Sequence, residues 1–341
     1  MKLHSKIVRL HPRTVFRISR GAEPFVDNVI VELEDAGGLV GLGEASPNPF
    51  YKETAASVEA QLQAAIVFFG NVTVASTEDV EAISKEFRAR FNPSQAAQCA
   101  IDIALWDLLA KQRKISVTEL VFGTKPHPVK SCCTIGLSTR EELAGKVAEL
   151  RDHPMIKVKM DASADLEALR YIRSQTKADL VVDANCSWAE VNLGKISREL
   201  ADLGVLFIEQ PLPPEQIQVM PSRLKQSVLP IMADESCVLP EDVAKMPGNF
   251  SGFNIKLVKC GGLTPALQML RAGRALGLKV MVGCMLETSI LISAGAVIGQ
   301  QTDFADLDGS WLLRDDPFKG LQFEKGILTL PSASGLGVHG C

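Results

Sequence analysis

Charged side chains stand at the ends of short β-branched runs in the second half of this 341-residue sequence. Three of the runs end in a carboxylate, and these carboxylates are Asp183, Glu209 and Asp234. Two other runs carry lysines at their ends: Lys157 and Lys159 on one run and Lys256 on the other. An ionisable side chain on a buried strand is costly unless it lies at an open end, where it can meet solvent or a ligand. The six residues therefore predict an active site at the ends of neighbouring strands.

The three carboxylates share one requirement. At a common rim they would repel each other and take up protons unless a cation neutralised them. Their donors are all hard oxygens, and no histidine or cysteine accompanies them, which favours Mg²⁺, with Mn²⁺ as a substitute. Asp183, Glu209 and Asp234 are thus the predicted metal ligands. The alternative is that each carboxylate pairs with a lysine in a surface network.

The lysines complete the predicted chemistry. With a substrate carboxylate on the metal, either Lys159 or Lys256 could remove the adjacent α-proton while the other returned a proton to the opposite face. The metal charge would stabilise the dianionic enediolate that forms on the way. Lys157 would donate to the same substrate oxygens.

The spacing of the runs indicates how these residues are held. Eight runs alternate with helical segments, the first ending at Ser131 and the last at Asp306, and successive ends are 22 to 27 residues apart. A closed parallel barrel uses about 25 residues or more for each strand and its crossover helix. An open doubly wound sheet is the alternative, but no glycine-rich phosphate loop follows the first run. We therefore predict an α/β protein with a parallel barrel.

The first 120 residues or so follow another pattern. Residues 28–32 and 39–43 alternate as strands around a turn at 35–38, which predicts a β-hairpin. Helical spacing follows at 54–69, 77–91 and 94–111, with Ser94 as the N-cap of the last helix. We assign residues 1–122 to an α+β unit, completed by 318–341, and residues 123–317 to the barrel.

Five motifs in order carry a resemblance to a known family. They are IKVKM at 156–160, VDAN at 182–185, IEQP at 208–211, ADES at 233–236 and NIKLVKCGG at 254–262. Together they resemble the enolase superfamily, in its muconate-lactonizing-like branch. The resemblance implies a modified (β/α)7β TIM barrel with an α+β capping domain. It also implies that Asp183, Glu209 and Asp234 bind Mg²⁺ and that Lys159 and Lys256 form the acid/base pair.

The end of the eighth strand distinguishes reactions within that branch. Asp306 and Asp308 are two residues apart and would project to the same side of an extended strand, where they make a site for a cation. Such a pair resembles that of the dipeptide epimerases, of the L-Ala-D/L-Glu type, which bind the free α-ammonium of their substrate with it. The resemblance thus implies inversion of the α-carbon of a dipeptide's C-terminal residue by 1,1-proton transfer.

Other functions remain open at this point. An o-succinylbenzoate synthase, an N-acylamino acid racemase or a cycloisomerase of the same superfamily is the alternative among enzymes. A catalytically silent metal-binding barrel acting as a binding protein is the alternative from another class. The resemblance adds Thr134, Cys284 and Arg20 as further substrate contacts.

Composition limits the partners. The formal net charge of −4 favours no polyanion, so no nucleic-acid partner is expected. The longest apolar stretch, at 290–298, is shorter than the roughly 20 residues of a membrane span, so no membrane partner is expected. The N-terminal residues do not have the pattern of a secretory signal. None of the eight cysteines is in a C-x-x-C pair, so reduced thiols and a cytoplasmic location are expected. A small-molecule dipeptide is the expected partner, together with further copies of the chain in a homo-oligomer.

Overall fold

The structure is a computed structural model that describes residues 1–14, 16–18 and 21–341. The predicted substrate contact Arg20 lies outside these described residues. Among the helices that are described, none has both the length and the apolar character needed to cross a bilayer.

The N-terminal part is a small antiparallel sheet covered by helices. The strands of this part are β1 (Lys2–Leu10), β2 (Phe16–Ile18), β3 (Gly21–Glu23), β4 (Val26–Glu34) and β5 (Val40–Ala45), of which β2 and β3 pair with each other in a separate two-stranded sheet. Its helices are α1 (Ala55–Ala64), α2 (Ile66–Phe69), α3 (Thr77–Phe91), α4 (Gln95–Arg113) and α5 (Val117–Phe122), with a 3-10 turn at Pro49–Tyr51. The sheet order is β1-β4-β5, and the predicted hairpin is confirmed, with Glu34 opposite Val40.

Helix α4 lies directly against β5. It begins where predicted, because the Ser94 side chain accepts a hydrogen bond from the Ala97 N–H. The strand presents glycines to the helix, and a Cβ atom at Gly43 would collide with the main chain of Ala100. The missing side chain therefore allows the helix backbone to approach the sheet closely.

The barrel strands and helices alternate along the rest of the chain. The barrel strands are β7 (Cys133–Ile135), β8 (Met155–Lys159), β9 (Asp179–Asp183), β10 (Val205–Glu209), β11 (Ile231–Ala233), β12 (Gly252–Lys256), β13 (Lys279–Gly283) and β14 (Phe304–Asp306), and a short strand outside the barrel sheet, β6 (Val129–Lys130), precedes them. The helices are α6 (Arg140–Leu150), α7 (Glu167–Gln175), α8 (Leu193–Asp202), α9 (Met220–Gln226), α10 (Leu257–Cys260), α11 (Leu263–Ala275), α12 (Ser289–Gly299) and α13 (Gly309–Leu312). Two 3-10 segments lie at Pro214–Val219 and Pro240–Lys245.

Strands β7 to β14 form one sheet in chain order, and every neighbouring pair is parallel. The sheet curves until its first and last strands nearly meet. A hydrogen bond of 2.8 Å from the Cys132 N–H, just before β7, to the Ala305 carbonyl of β14 links the two ends. The α/β prediction of a modified (β/α)7β barrel with an α+β cap is confirmed.

The barrel interior is packed with side chains. Cys132, Met155, Val181, Phe207, Met232 and Met281 form a buried cluster of their own, with Phe304 against it. A filled interior leaves the ends of the barrel for function, and active sites of such barrels lie at the C-terminal ends of the strands.

The first barrel strand differs from the prediction. Ser131 does not end it: Val129–Lys130 is a separate strand that pairs antiparallel with Ile327 and Leu328, and the barrel strand is Cys133–Ile135. Ser131 lies between the two, and its N–H donates to the Gly326 carbonyl at 2.8 Å. The sequence shows one continuous β-rich run here. The run forms two strands because its two halves pair with partners that are far apart in the chain.

The C-terminal segment contacts both parts of the molecule. Its strands are β15 (Phe318–Lys319), β16 (Gln322–Glu324), β17 (Ile327–Thr329) and β18 (His339–Gly340), with β16 and β17 joined to β6. Beyond β17 the chain reaches the helices of the cap, where the Leu336 N–H donates to Asp107 Oδ1 at 2.7 Å. The domain boundaries at residues 122 and 318 stay a prediction.

Candidate active site

Parallel register brings the predicted residues to one end of the barrel. Asp183 at the end of β9 lies level with Lys159 of β8 on one side and with Glu209 of β10 on the other. Across the barrel, Lys256 of β12 and Asp306 of β14 are level with the same residue of β13. The strands therefore end together and their last side chains share one mouth.

Lys157 lies at the centre of this mouth and is almost fully buried. Its Nζ is 3.0 Å from Asp183 Oδ2 and 2.7 Å from Glu209 Oε2, and it donates to Asp306 Oδ2 at 2.8 Å. Lys159 donates to the same Asp183 oxygen at 2.6 Å. These ion pairs are internal, so the carboxylates do not form a network at the protein surface.

Burial and charge act in opposite directions on these carboxylates. Burial raises the pKa of Asp183, but the ammonium groups of Lys157 and Lys159 outweigh it and hold that pKa below its usual range. At Glu209 burial prevails, helped by the charge of Asp183 and only partly offset by Lys157, and the pKa rises to about 7. Burial therefore makes Glu209 take up a proton more readily than Asp183 does.

Asp234 directly follows β11 and is held by two lysines. Lys256 donates to its Oδ2 at 2.8 Å, and Lys259 donates to its Oδ1 at 2.6 Å. Burial raises the pKa of Asp234, yet the two ammonium groups outweigh burial and lower it. Lys259 is fully buried and also donates to the carbonyls of Cys237 and Asn254. The sequence analysis did not single it out, although it lies three residues after Lys256 in the NIKLVKCGG motif.

Asp306 and Asp308 both lie in the site, but not as neighbours on one strand face. β14 ends at Asp306, and Asp308 has φ −89° and ψ 3°, so it has left the extended conformation. Thr134 joins the pair, because its N–H donates to Asp308 Oδ2 at 2.6 Å and its hydroxyl to Asp306 Oδ1 at 3.3 Å. Burial and the charge of Asp306 raise the pKa of Asp308 to about 7. A cationic ligand here would restore the ionised form of Asp308.

A cavity opens above these groups, between barrel and cap. Its charged lining consists of Lys157, Lys159, Lys256, Asp306 and Asp308. Thr134, Asn185 and Cys284 also line it, with Met285, Leu286 and Leu312 from the barrel loops and Val26, Ser46, Pro47 and Asn48 from the cap. The described residues thus place both lysines of the predicted acid/base pair and both aspartates of the predicted ammonium site around one space.

Two buried residues of the cap form hydrogen bonds to the cavity wall, and the sequence analysis did not predict a role for either. Asn28 of β4 donates to the Leu286 carbonyl at 3.0 Å and to Glu44 at 2.8 Å. Glu44 of β5 accepts the Thr288 hydroxyl at 2.6 Å and the Leu291 N–H at 3.2 Å. The loop after β13, which forms one wall of the cavity, is thereby held by the cap.

The carboxylates fit a hard divalent cation, although they are not preassembled around one. In residues 1–14, 16–18 and 21–341, no three acidic, histidine or cysteine side chains are already arranged to hold a metal. Lys157 lies among the carboxylates instead, and its ammonium group is not in hydrogen-bonding geometry with Glu209 Oε2. That buried oxygen therefore has no hydrogen-bond partner among the described residues. Carboxylate oxygens, one of them an unsatisfied buried acceptor, suit Mg²⁺.

Two family models match this chain. The model "Mandelate racemase / muconate lactonizing enzyme, N-terminal domain" matches residues 3–122, and the model "Enolase C-terminal domain-like" matches residues 139–340. The first match covers the N-terminal sheet and helices, and the second runs from the start of helix α6 to the C-terminal segment.

Known relatives align over nearly the whole chain. The L-Ala-D/L-amino acid epimerase of Flavobacterium johnsoniae is 36% identical over 99% of both chains. The L-Ala-D/L-Glu epimerase of Escherichia coli is 37% identical over 93% of this chain and 96% of its own. A dipeptide epimerase from Enterococcus faecalis, solved with Mg and the dipeptide L-Leu-L-Tyr, superposes with a TM-score of 0.90 at 30% identity, covering 99% of this chain and 98% of the other. The chain therefore belongs to the enolase superfamily and, within its muconate-lactonizing-like branch, to the dipeptide epimerases, which are isomerases.

Proposed function

We propose that this chain is a Mg²⁺-dependent dipeptide epimerase that inverts the α-carbon of the C-terminal residue by 1,1-proton transfer. The observation that carries the proposal is a single cavity lined by two lysines on opposite sides and by the Asp306–Asp308 pair. The similarity to relatives named as dipeptide epimerases supports the same activity.

Asp183, Glu209 and Asp234 would hold the metal. A Mg²⁺ ion held there would supply positive charge beside the substrate carboxylate and so make a proton on the adjacent carbon easier to remove. Lys157 adds a fixed positive charge beside Asp183 and Glu209, so it also draws the substrate carboxylate into the site.

Lys159 and Lys256 would exchange protons on opposite faces of the α-carbon. They lie on β8 and β12, which are separated by three strands in a barrel of eight and so face each other across the mouth. Lys159 donates to Asp183 and Lys256 donates to Asp234, so the two lysines are held by different carboxylates. In one direction a neutral lysine removes the proton and the opposite ammonium delivers another, and the reverse reaction exchanges these roles.

Asp306 and Asp308 would bind the free α-ammonium of the dipeptide. Both are buried, and the Thr134 N–H and hydroxyl leave acceptor capacity on them. A substrate with no free ammonium would leave Asp308 with its raised pKa, because Thr134 and the charge of Lys157 offset its burial only in part. This favours a dipeptide over the succinyl or N-acyl substrates of the alternative enzymes.

Proton exchange with solvent tests the proposal. The protein is incubated with Mg²⁺ and a library of L-Ala-L-Xaa dipeptides in D₂O, and each product is analysed for mass and chirality. We expect a gain of one mass unit together with formation of the second diastereomer. Exchange in no dipeptide would refute the assigned activity.

Two variants test the mechanism. Lys159→Ala and Lys256→Ala should each reduce epimerisation by about 10²-fold to 10⁴-fold, because each removes the proton donor or acceptor of one face. Lys130→Ala is the matched control, since Lys130 pairs with Asp179 at the opposite end of the barrel strands. Retained turnover in both active-site variants would contradict the two-lysine mechanism.

Cytoplasmic location and homo-oligomeric assembly stay predictions from the sequence.

A further inference from the structure

Gln210, the residue immediately after Glu209, has an unusual backbone. Its φ is 37°, in the left-handed region that a residue with a Cβ atom seldom adopts. A glycine would adopt this conformation without strain. The residue is also completely buried. A long polar side chain in such a position indicates that the side chain itself is needed there.

The Gln210 side chain makes four hydrogen bonds, three to the loop after β11 and one to the loop after β10, which contains Gln210 itself. Its Oε1 accepts the N–H groups of Asp234 at 2.7 Å and Ser236 at 3.1 Å. Its Nε2 donates to the Leu212 carbonyl at 2.6 Å and to Ser236 Oγ at 2.7 Å. The amide therefore binds the main chain at Asp234 and uses all of its donors and acceptors in doing so.

The Gln210 main chain extends this connection to the other side. Its N–H donates to the Met232 carbonyl at 2.9 Å, and its carbonyl accepts the Cys186 N–H at 2.8 Å. Cys186 belongs to the turn that follows Asp183. One residue thus joins the three strand ends that carry Asp183, Glu209 and Asp234.

We infer that Gln210 is a positioning residue that sets the mutual placement of these three carboxylates and thereby the affinity of the site for Mg²⁺. This inference rests on the proposed function, because it takes the three carboxylates as the metal ligands. Mg²⁺ requires near-octahedral oxygen geometry at short distances, so small displacements of its ligands weaken binding. Loss of groups that orient metal ligands reduces metal affinity by about 10-fold to 100-fold.

The test compares two buried glutamines. Gln210→Met keeps the side-chain volume and removes all four hydrogen bonds. Gln300→Met makes the same change far from the cavity, where Gln300 bonds the main chain of His127 and Ala296. Mg²⁺ binding to each full-length variant is measured by titration calorimetry without substrate, alongside the rise in melting temperature that saturating Mg²⁺ causes. We expect an affinity loss of about 10-fold to 100-fold in Gln210→Met and less than about twofold in Gln300→Met.

A second variant guards against a failure to fold. Gln210→Asn keeps an amide and tolerates the left-handed backbone well, but it is too short to reach the Asp234 loop. It should fold and still bind Mg²⁺ more weakly than the unmodified protein. Unchanged Mg²⁺ affinity in the folded Gln210 variants would overturn the inference and leave the proposed function intact. No Mg²⁺ binding by the unmodified protein would instead overturn the metal site and the inference together.

Discussion

Glu44→Gln should change how the stability of this protein depends on pH. Glu44 is fully buried where the cap meets the barrel, and it accepts hydrogen bonds from Asn28, Thr288 and Leu291. Burial raises the pKa of Glu44 from 4.5 to about 7 in spite of these bonds. The other titratable groups that act on it are Glu287 and Asp316, both acidic, and both favour its neutral form.

The magnitude follows from the two pKa values. The folded pKa lies above the unfolded one, so between about pH 4.5 and about pH 7 the folded protein keeps a proton that the unfolded chain has lost. Folding stability therefore falls as the pH rises through this window, by about 1.4 kcal/mol per unit and about 3 kcal/mol in all. Glutamine carries no proton to lose, so the variant lacks this contribution.

Urea unfolding at several pH values measures the effect. Near pH 4.5 the variant should be less stable than the unmodified protein by about 1–3 kcal/mol, because its amide N–H₂ would face N–H and O–H donors. As the pH rises, the variant should gain about 3 kcal/mol relative to the unmodified protein.

A surface substitution controls for the lost charge. Glu32→Gln removes a carboxylate from a partly exposed position of β4, and it should change stability by less than about 0.5 kcal/mol across the range. Stability curves for Glu44→Gln and the unmodified protein that run parallel from about pH 4.5 to about pH 8 would refute the reasoning.

Two further substitutions test the site and the cap. Asp308→Asn should lower kcat/KM for dipeptides by about 10-fold to 100-fold, because it removes a charge-assisted hydrogen bond to the substrate ammonium, and it should change kcat/KM for N-acetylated dipeptides little. An unaltered ratio between the kcat/KM values of the free and the N-acetylated dipeptides would contradict this. Gly43→Ala should destabilise the fold by about 1–3 kcal/mol or more, because its Cβ would overlap the main chain of helix α4. Its control is Gly145→Ala on helix α6, where a Cβ meets no atom within 4 Å and should raise the melting temperature. A lower melting temperature for the control than for Gly43→Ala would show that the packing argument is wrong.

The barrel was predictable from local pattern because its units repeat. Each strand and its helix bury the same kind of surface and use similar lengths of chain, so strand ends recur at a nearly constant spacing. The pattern failed at Ser131, where the residues before and after it pair with different sheets. Strand pairing over long separations leaves no mark in the composition of a short run.

The Asp306–Asp308 pair shows a correct grouping reached by an incorrect route. The sequence analysis placed both aspartates on one face of an extended strand. The chain instead turns after Asp306, and Thr134 of the first barrel strand holds the two carboxylates together. The donor that organises them comes from a residue more than 170 positions away, which a local argument does not include.

The residue types and their positions along the chain were enough to predict which side chains make up the candidate site, because ionisable side chains at the ends of buried strands are too costly to occur without a use. They were also enough to predict the order of the strands that carry these side chains. How the groups are held is visible only in the folded molecule: Lys157 among the carboxylates, Gln210 across three strand ends, and Glu44 between cap and barrel. These contacts join segments that are remote in the chain, and their geometry exists only when the barrel has closed and the cap has docked on it.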